Sequence, residues 1–143
     1  MKKVIILSGL VLLAIFCKGQ FSLGVGAGVS THSPMAQLSI NYQMLRMGAD
    51  VGYSASLSAS HPAYLTGQMY LNIDIGERLK LQPMGGMAYR YFSNDNKELN
   101  YWEPIYGVEI NKTTGNDRGL WYFRYSLVDK ESIFVVGVRG IIN

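Results

Sequence analysis

The sequence predicts an all-β protein: an eight-stranded antiparallel up-and-down transmembrane β-barrel behind an N-terminal signal peptide. Three observations carry the prediction. Apolar and polar residues alternate with period two along most of the chain, as in "AQLSINYQMLRMGADVGYSAS" over 36–56. The alternating stretches fall into eight segments, each closed by a turn-rich break. One parity of each segment carries almost no charge, while the other carries Arg, Lys, Asp and Glu.

The first segment stands apart from the fold. Met1-Lys2-Lys3 is a short basic start, Val4 to Phe16 is apolar apart from Ser8 and Gly9, and Cys17-Lys18-Gly19 ends the run. That is the n-, h- and c-region order of a secretory signal peptide. The apolar run is also shorter than the ~20 residues of a spanning helix. Residues 1–19 are therefore read as signal peptide and 20–143 as one barrel domain. Cys17 has two possible fates, removal with the signal or lipid attachment. Phe16 before it, where lipid attachment calls for a small residue, favours removal. A chain starting at Gln20 has no cysteine, hence no disulfide and no thiol chemistry.

Charge follows the same division. The formal net charge is +3, from 13 Lys and Arg against 10 Asp and Glu, and Lys2, Lys3 and Lys18 account for the whole excess. The barrel is thus near neutral, which removes the electrostatic case for nucleic acid. Charged residues make up 16% of the sequence, low against the usual ~25%. Ten tyrosines and 16 glycines complete a profile unlike that of an ordinary soluble domain.

The eight strands are expected at 21–30, 36–43, 46–56, 64–75, 79–92, 101–112, 119–128 and 132–142. The first sets Phe21, Leu23, Val25, Ala27 and Val29 against Ser22, Gly24, Gly26, Gly28 and Ser30. The second and third set Leu38, Ile40, Ala49 and Val51 against Ser39, Asn41, Asp50 and Gly52. The fourth opposes Leu65, Met69, Leu71, Ile73 and Ile75 to Thr66, Gln68, Tyr70, Asn72 and Asp74. The fifth has Pro83 and Gly85 on its apolar side, which points to a bulge or an edge there. The sixth opposes Trp102, Tyr106, Val108 and Ile110 to Glu103, Gly107, Glu109 and Asn111. The seventh opposes Trp121, Phe123, Tyr125 and Leu127 to Tyr122, Arg124 and Ser126. The eighth opposes Phe134, Val136, Val138 and Ile142 to Gly137 and Arg139.

Alternation alone admits two solutions, a soluble barrel with the apolar face inward or a membrane barrel with it outward. Three features favour the second. The polar parity is rich in Gly and Ser, which weaken a water-exposed strand but make room inside a narrow barrel. It also carries a nearly balanced set, Arg46, Lys80, Arg90, Arg124 and Arg139 with Asp50, Asp74, Glu103 and Glu109, suited to a self-neutralising lumen network. Phe21, Tyr42, Tyr64, Trp102 and Trp121 fall near strand ends, where interfacial aromatic girdles sit. Dimensions agree, since about ten residues at ~3.3 Å, tilted by ~40°, rise about 25 Å.

With these features the chain resembles the small eight-stranded bacterial outer-membrane β-barrels of the OmpX and OmpA-barrel type over residues 20–143. The resemblance lies in architecture, not in a diagnostic motif. It implies residence in the cell outer membrane, contact with outer-membrane lipid, assembly by the outer-membrane insertion machinery, and both barrel termini on the periplasmic side. The chain departs from the pattern at its end, Ile141-Ile142-Asn143, where such proteins often place a terminal aromatic residue.

No catalytic group stands out. "GVGAGVS" at 24–30 lacks the strand–loop–helix context and the Lys-Ser/Thr of a phosphate loop. His32 and His61 lie in loops. Two imidazoles without Cys or a carboxylate cluster do not define a metal site, and solvated histidines are expected. "YRYFSNDN" at 89–96 faintly resembles the His-x-Ser-Asn region of outer-membrane lipid A deacylases. Ser93-Asn94 match, but Tyr91 stands where the general base belongs, and a serine without a base is a poor nucleophile. Asn111-Lys112-Thr113 matches a glycosylation sequon but reads as a strand end entering a turn.

The reading is a non-catalytic outer-membrane barrel with a closed polar lumen and a structural or interaction role, needing no cofactor or metal, its protein partner open. Two alternatives remain at this stage, a narrow outer-membrane channel for small molecules and a soluble exported ligand-binding barrel. Mass spectrometry of the processed protein should find a chain beginning at or within a few residues of Gln20. An intact Met1, or an acylated Cys17 at the first position, would contradict it.

Overall fold

The computed structural model describes residues 19–58, 61–92, 100–115 and 117–142. The signal-peptide reading of the N-terminal segment and the Ser93-Asn94 pair lie outside the described residues. The strands are β1 (Gln20–Ser30), β2 (Pro34–Gln43), β3 (Met47–Ser56), β4 (Ala63–Leu71), β5 (Ile73–Gly76), β6 (Leu79–Tyr91), β7 (Tyr101–Thr113), β8 (Gly119–Val128) and β9 (Glu131–Ile142).

Every neighbouring pair is antiparallel, and β1 pairs with β9 from Phe21–Ile142 to Ser30–Ile133, which closes the sheet. β4 and β5 form one stave of the barrel. Tyr70 pairs with Met84 and Ile73 with Leu81, so one register runs through the break at Asn72. That register sets Pro83 opposite Leu71, and a proline has no N–H to give the ladder. On the other side of the stave, Asn72 N–H donates to the Arg46 carbonyl at 2.8 Å, which continues the pairing with β3. The result is an eight-staved, closed, up-and-down barrel. The irregularity expected on the fifth strand falls on its partner. β6 stays in register with β7 throughout, while the ladder shifts between Asp74 and Gly76.

One end carries Gln20, Ile142 and the turns after β2, β5 and β7. The other carries the turns after β1, β3, β6 and β8. The tightest of these is the turn at Asp129-Lys130, where Asp129 takes φ 52°. Aspartate tolerates that left-handed conformation better than most side chains.

The two faces separate as the alternation predicts. Val51 is 55% exposed and its neighbour Asp50 is 1% exposed. Leu23, Val25, Leu38, Ile40, Phe123 and Val136 stand outward, while Ser22, Gln37, Ser39 and Asn41 are buried. Among the described strand residues on the outward parity, Lys112, beside Trp121 at the terminus end, is the one charged side chain. A continuous apolar wall of this extent far exceeds what soluble proteins present to water. It suits lipid, where the closed ladder leaves no strand edge unpaired.

Aromatic residues gather at both ends of this wall. Phe21 and Tyr42 have ring centroids 4.6 Å apart at the terminus end, and Trp121, the third residue of β8, is exposed toward the same end. Tyr89 and Trp102 lie 5.1 Å apart at the loop end. Tyr64 does not join them. It shares the parity of Thr66 and Gln68, points inward, and is 1% exposed.

Single cysteines at Ile40 and Val51 should react with a lipid-soluble probe in intact membranes and resist a water-soluble one, while cysteine at Asn41 should escape the lipid-phase probe. Val51 shielded from lipid with Asn41 open to bulk water would invert the barrel.

Candidate functional site

The interior is organised around four charges from four strands. Asp50 stands on β3, Glu109 on β7, Arg124 on β8 and Arg139 on β9. Glu109 and Arg124 are direct cross-strand partners, which brings the first pair together by register alone. Arg124 Nε donates to Glu109 Oε2 at 2.8 Å, and its NH2 crosses the lumen to Asp50 Oδ1 at 3.0 Å and Oδ2 at 2.9 Å. Arg139 NH2 donates to Glu109 Oε2 at 2.8 Å, and its NH1 donates to Glu109 Oε1. Arg139 NH2 also lies 3.7 Å from Asp50 Oδ2. The four side chains are almost wholly buried.

Two cations and two anions sum to zero. Each ion would otherwise face a desolvation penalty of several kcal/mol, which only close, multiply bonded geometry offsets. Arginine suits the task because its planar fork serves two carboxylates at once. Tyr122 lies against both guanidinium groups, its ring centroid 4.4 Å from Arg139 Cζ and 5.7 Å from Arg124 Cζ.

Neutral side chains extend the cluster toward the terminus end. Asn111 Nδ2 donates to Glu109 Oε1 at 2.9 Å and Gln82 Oε1 at 2.8 Å, and Gln82 Nε2 donates to Asn72 Oδ1 at 2.5 Å. Tyr70 OH donates to Asn41 Oδ1 at 2.7 Å. A cavity of about 20 Å³, bordered by Asn41, Gln82, Asn111 and Arg139, adjoins this layer. That volume admits a single water.

Glycines make the space these long side chains occupy. A Cβ on Gly137 would come within 2.5 Å of Tyr122 Cζ, and one on Gly26 within 2.6 Å of the Tyr122 hydroxyl. A Cβ on Gly24 would meet Arg139 Cγ at 2.8 Å, and one on Gly48 would strike the Tyr70 ring.

Toward the loop end the interior changes character. Met35, Tyr64, Ala88, Ile105, Tyr122, Val128, Ile133 and Val135 form a buried, mostly apolar cluster. A polar cap lies beyond it. Arg90 NH2 donates to Glu131 Oε1 at 2.8 Å, Tyr64 OH donates to Glu131 Oε2 at 2.6 Å, and Arg90 NH1 donates to the Tyr101 hydroxyl at 2.8 Å.

Of the nine charges expected in the lumen, Asp50, Glu109, Arg124 and Arg139 come together. Arg90 joins the cap with Glu131. Glu103 is buried, and neither carboxylate oxygen has a hydrogen-bond partner. Asp74 and Lys80 sit 3.9 Å apart at the terminus-end rim, with the Asp74 side chain 77% exposed. Arg46 lies in the exposed turn before β3, one residue outside the strand expected to hold it. Sequence reasoning missed Glu131 and the apolar layer. Both carried a signal, because Glu131, Ile133 and Val135 share the inward parity of Arg139, and the unbroken run Ile133-Phe134-Val135-Val136 is apolar on both faces.

No family model and no curated protein matches the chain. Solved structures do. The N-terminal β-barrel domain of Pseudomonas aeruginosa OprF aligns with a TM-score of 0.71 at 12% identity, over 86% of this chain and 97% of that one. The chain has the fold of the small bacterial outer-membrane β-barrels. Ail of Yersinia pestis, in a phospholipid bilayer nanodisc, aligns with a TM-score of 0.56 at 13% identity, over 87% of this chain and 100% of that one. The de novo designed TMB2.3 aligns with a TM-score of 0.67 at 16% identity, over 87% and 95%. At such identities the likeness is one of fold. The barrel is of the outer-membrane type, with a wall made for lipid and a packed interior.

Arg124→Ala would leave Asp50 and Glu109 short of a buried partner and should lower stability by about 3–5 kcal/mol. Lys80→Ala, at the exposed rim pair, should cost less than about 1 kcal/mol. Equilibrium denaturant unfolding in lipid vesicles measures both, and comparable losses at the two sites would contradict the central role of the cluster.

Proposed function

We propose that the protein is a non-catalytic resident of the cell outer membrane whose barrel is a sealed support, with a structural role or an interaction role exercised at its loop end. The observation that carries the reading is the filled lumen. A charge cluster, an apolar layer and a polar cap lie in series along the axis. Eight staves enclose an interior only wide enough for side chains, and here Arg124 bonds across it to Asp50. A solute path would require breaking buried ion pairs, which opposes the narrow-channel reading.

In this proposal a cleaved N-terminal signal delivers the chain and the insertion machinery folds it into outer-membrane lipid. The termini and the turns after β2, β5 and β7 then face the periplasm. A partner would bind at the loop end, which carries the turns after β1, β3, β6 and β8. The interior cluster holds the barrel together instead of turning over a substrate. Its arginines are committed to carboxylates, and it lies beneath the apolar layer.

Planar-bilayer recording of the purified barrel should show no stable conductance. Reproducible steps of fixed size would contradict the sealed lumen and restore the channel reading.

A further inference from the structure

The two histidines of the chain lie on different hairpins and meet in space. His32 sits in the turn between β1 and β2, and His61 in the connection between β3 and β4. Their ring centroids are 5.8 Å apart, and their planes are 12° from parallel. His32 is exposed and His61 half-buried, at the loop end of the barrel.

The backbone beneath them is tied. Ser33 and Ser56 hydroxyls share a hydrogen bond of 2.5 Å, and Leu57 N–H donates to the Pro34 carbonyl at 2.9 Å, so the two loops are joined. His61 N–H donates to the Ser58 carbonyl at 3.1 Å, and His32 N–H reaches the Ser30 hydroxyl at 3.4 Å. Each histidine N–H is thus tied within its own loop.

We propose that His32 and His61 form a two-imidazole site for a divalent transition metal of borderline softness, such as Zn²⁺, Ni²⁺ or Cu²⁺, on the outer face of the loops. The geometry fits. With metal–nitrogen bonds of about 2.0–2.1 Å, two imidazoles on one ion have centroids from about 5 Å apart, tetrahedrally, to about 6.4 Å, when opposed. The observed separation of 5.8 Å falls inside that span, and the near-parallel rings would have to rotate to turn one nitrogen of each toward a shared ion. Imidazole nitrogen selects such ions over Ca²⁺ and Mg²⁺, which demand oxygen. Among the described residues no group of three or more His, Cys, Asp or Glu gathers as a metal site. Two imidazoles leave coordination positions that water can fill, which makes the ion exchangeable. Binding would clamp the first and second outward loops together and stiffen the surface offered to a partner.

The test is calorimetric titration of the untagged, detergent-folded barrel with ZnCl₂ and NiCl₂, alongside CaCl₂. We expect one transition-metal ion per chain and no Ca²⁺ binding. His32→Ala and His61→Ala should each weaken the interaction roughly tenfold or more, because either removes one of two protein ligands. The Cu²⁺ form should show coupling to two nitrogens by electron paramagnetic resonance, falling to one in each variant. Unchanged gel mobility of the unheated variants would show that the barrel still folds. Two ions per chain lost one at a time, binding indifferent to both substitutions, or no binding at about 100 µM metal (weaker than a ~5.5 kcal/mol site) would each overturn the proposal.

Discussion

Lipid offers no hydrogen bonds, so every strand of this chain must find both its neighbours within the chain. The Phe21–Ile142 to Ser30–Ile133 pairing of β1 with β9 meets that demand, and the rest of the architecture follows from it. Closing eight staves fixes the diameter, and the diameter leaves room for side chains but not for a water column. Whatever points inward must therefore fill the space at close to crystalline density. Tyr122, Tyr70 and Arg139 supply the bulk, and Gly26, Gly137, Gly48 and Gly24 opposite them supply the room. The glycines weaken their strands in isolation. In the closed barrel they let long side chains cross the axis.

Filling the interior raises an electrostatic difficulty that the chain meets in two ways. Near the terminus end it uses ions and pairs them, and Arg124 alone bonds two carboxylates from different strands. Toward the loop end it uses Ile105, Val128, Ile133 and Val135, which need no partners. The two layers are complementary in what they provide. An apolar layer excludes water and needs no partners, and its fit rests on shape. Hydrogen-bonded charges demand particular geometry. Tyr122 belongs to both layers, its ring packed in the apolar cluster and lying against both guanidinium groups.

Much of this was legible in the sequence because a barrel wall writes itself as parity. Val51 and Asp50, or Trp121 and Tyr122, need only be adjacent to be assigned to opposite faces. What parity cannot supply is depth and partner. Arg46 and Asp50 look equivalent in the string, yet one ends in an exposed turn and the other is buried in the lumen. Arg124 could be placed inside from its neighbours, but its reach from β8 to Asp50 on β3 depends on barrel curvature. Tyr64 shows a different conflict. Its position near a strand end points to a girdle, but the parity it shares with Thr66 turns it inward. The histidine pair shows the same limit in the loops, where no periodicity links His32 to His61 and only the barrel brings them together.

The charge cluster also settles which of many similar barrels this sequence forms. Slipping a strand by one residue turns its whole set of side chains to the opposite face. For β8, that would send Arg124 and Tyr122 into lipid and draw Trp121 and Phe123 inward. An arginine at the bilayer midplane costs about 2–4 kcal/mol on the lipid face of such barrels, and Glu109 and Asp50 would lose their partner inside as well. A slip of two residues keeps the faces but breaks the Glu109–Arg124 register and the crossing to Asp50. The apolar wall alone would forgive that second error, since one aliphatic residue serves lipid much as another does. The buried ions do not forgive it. Their contribution is therefore greatest as a specification of register, and the apolar wall, indifferent to register, supplies the affinity for the membrane.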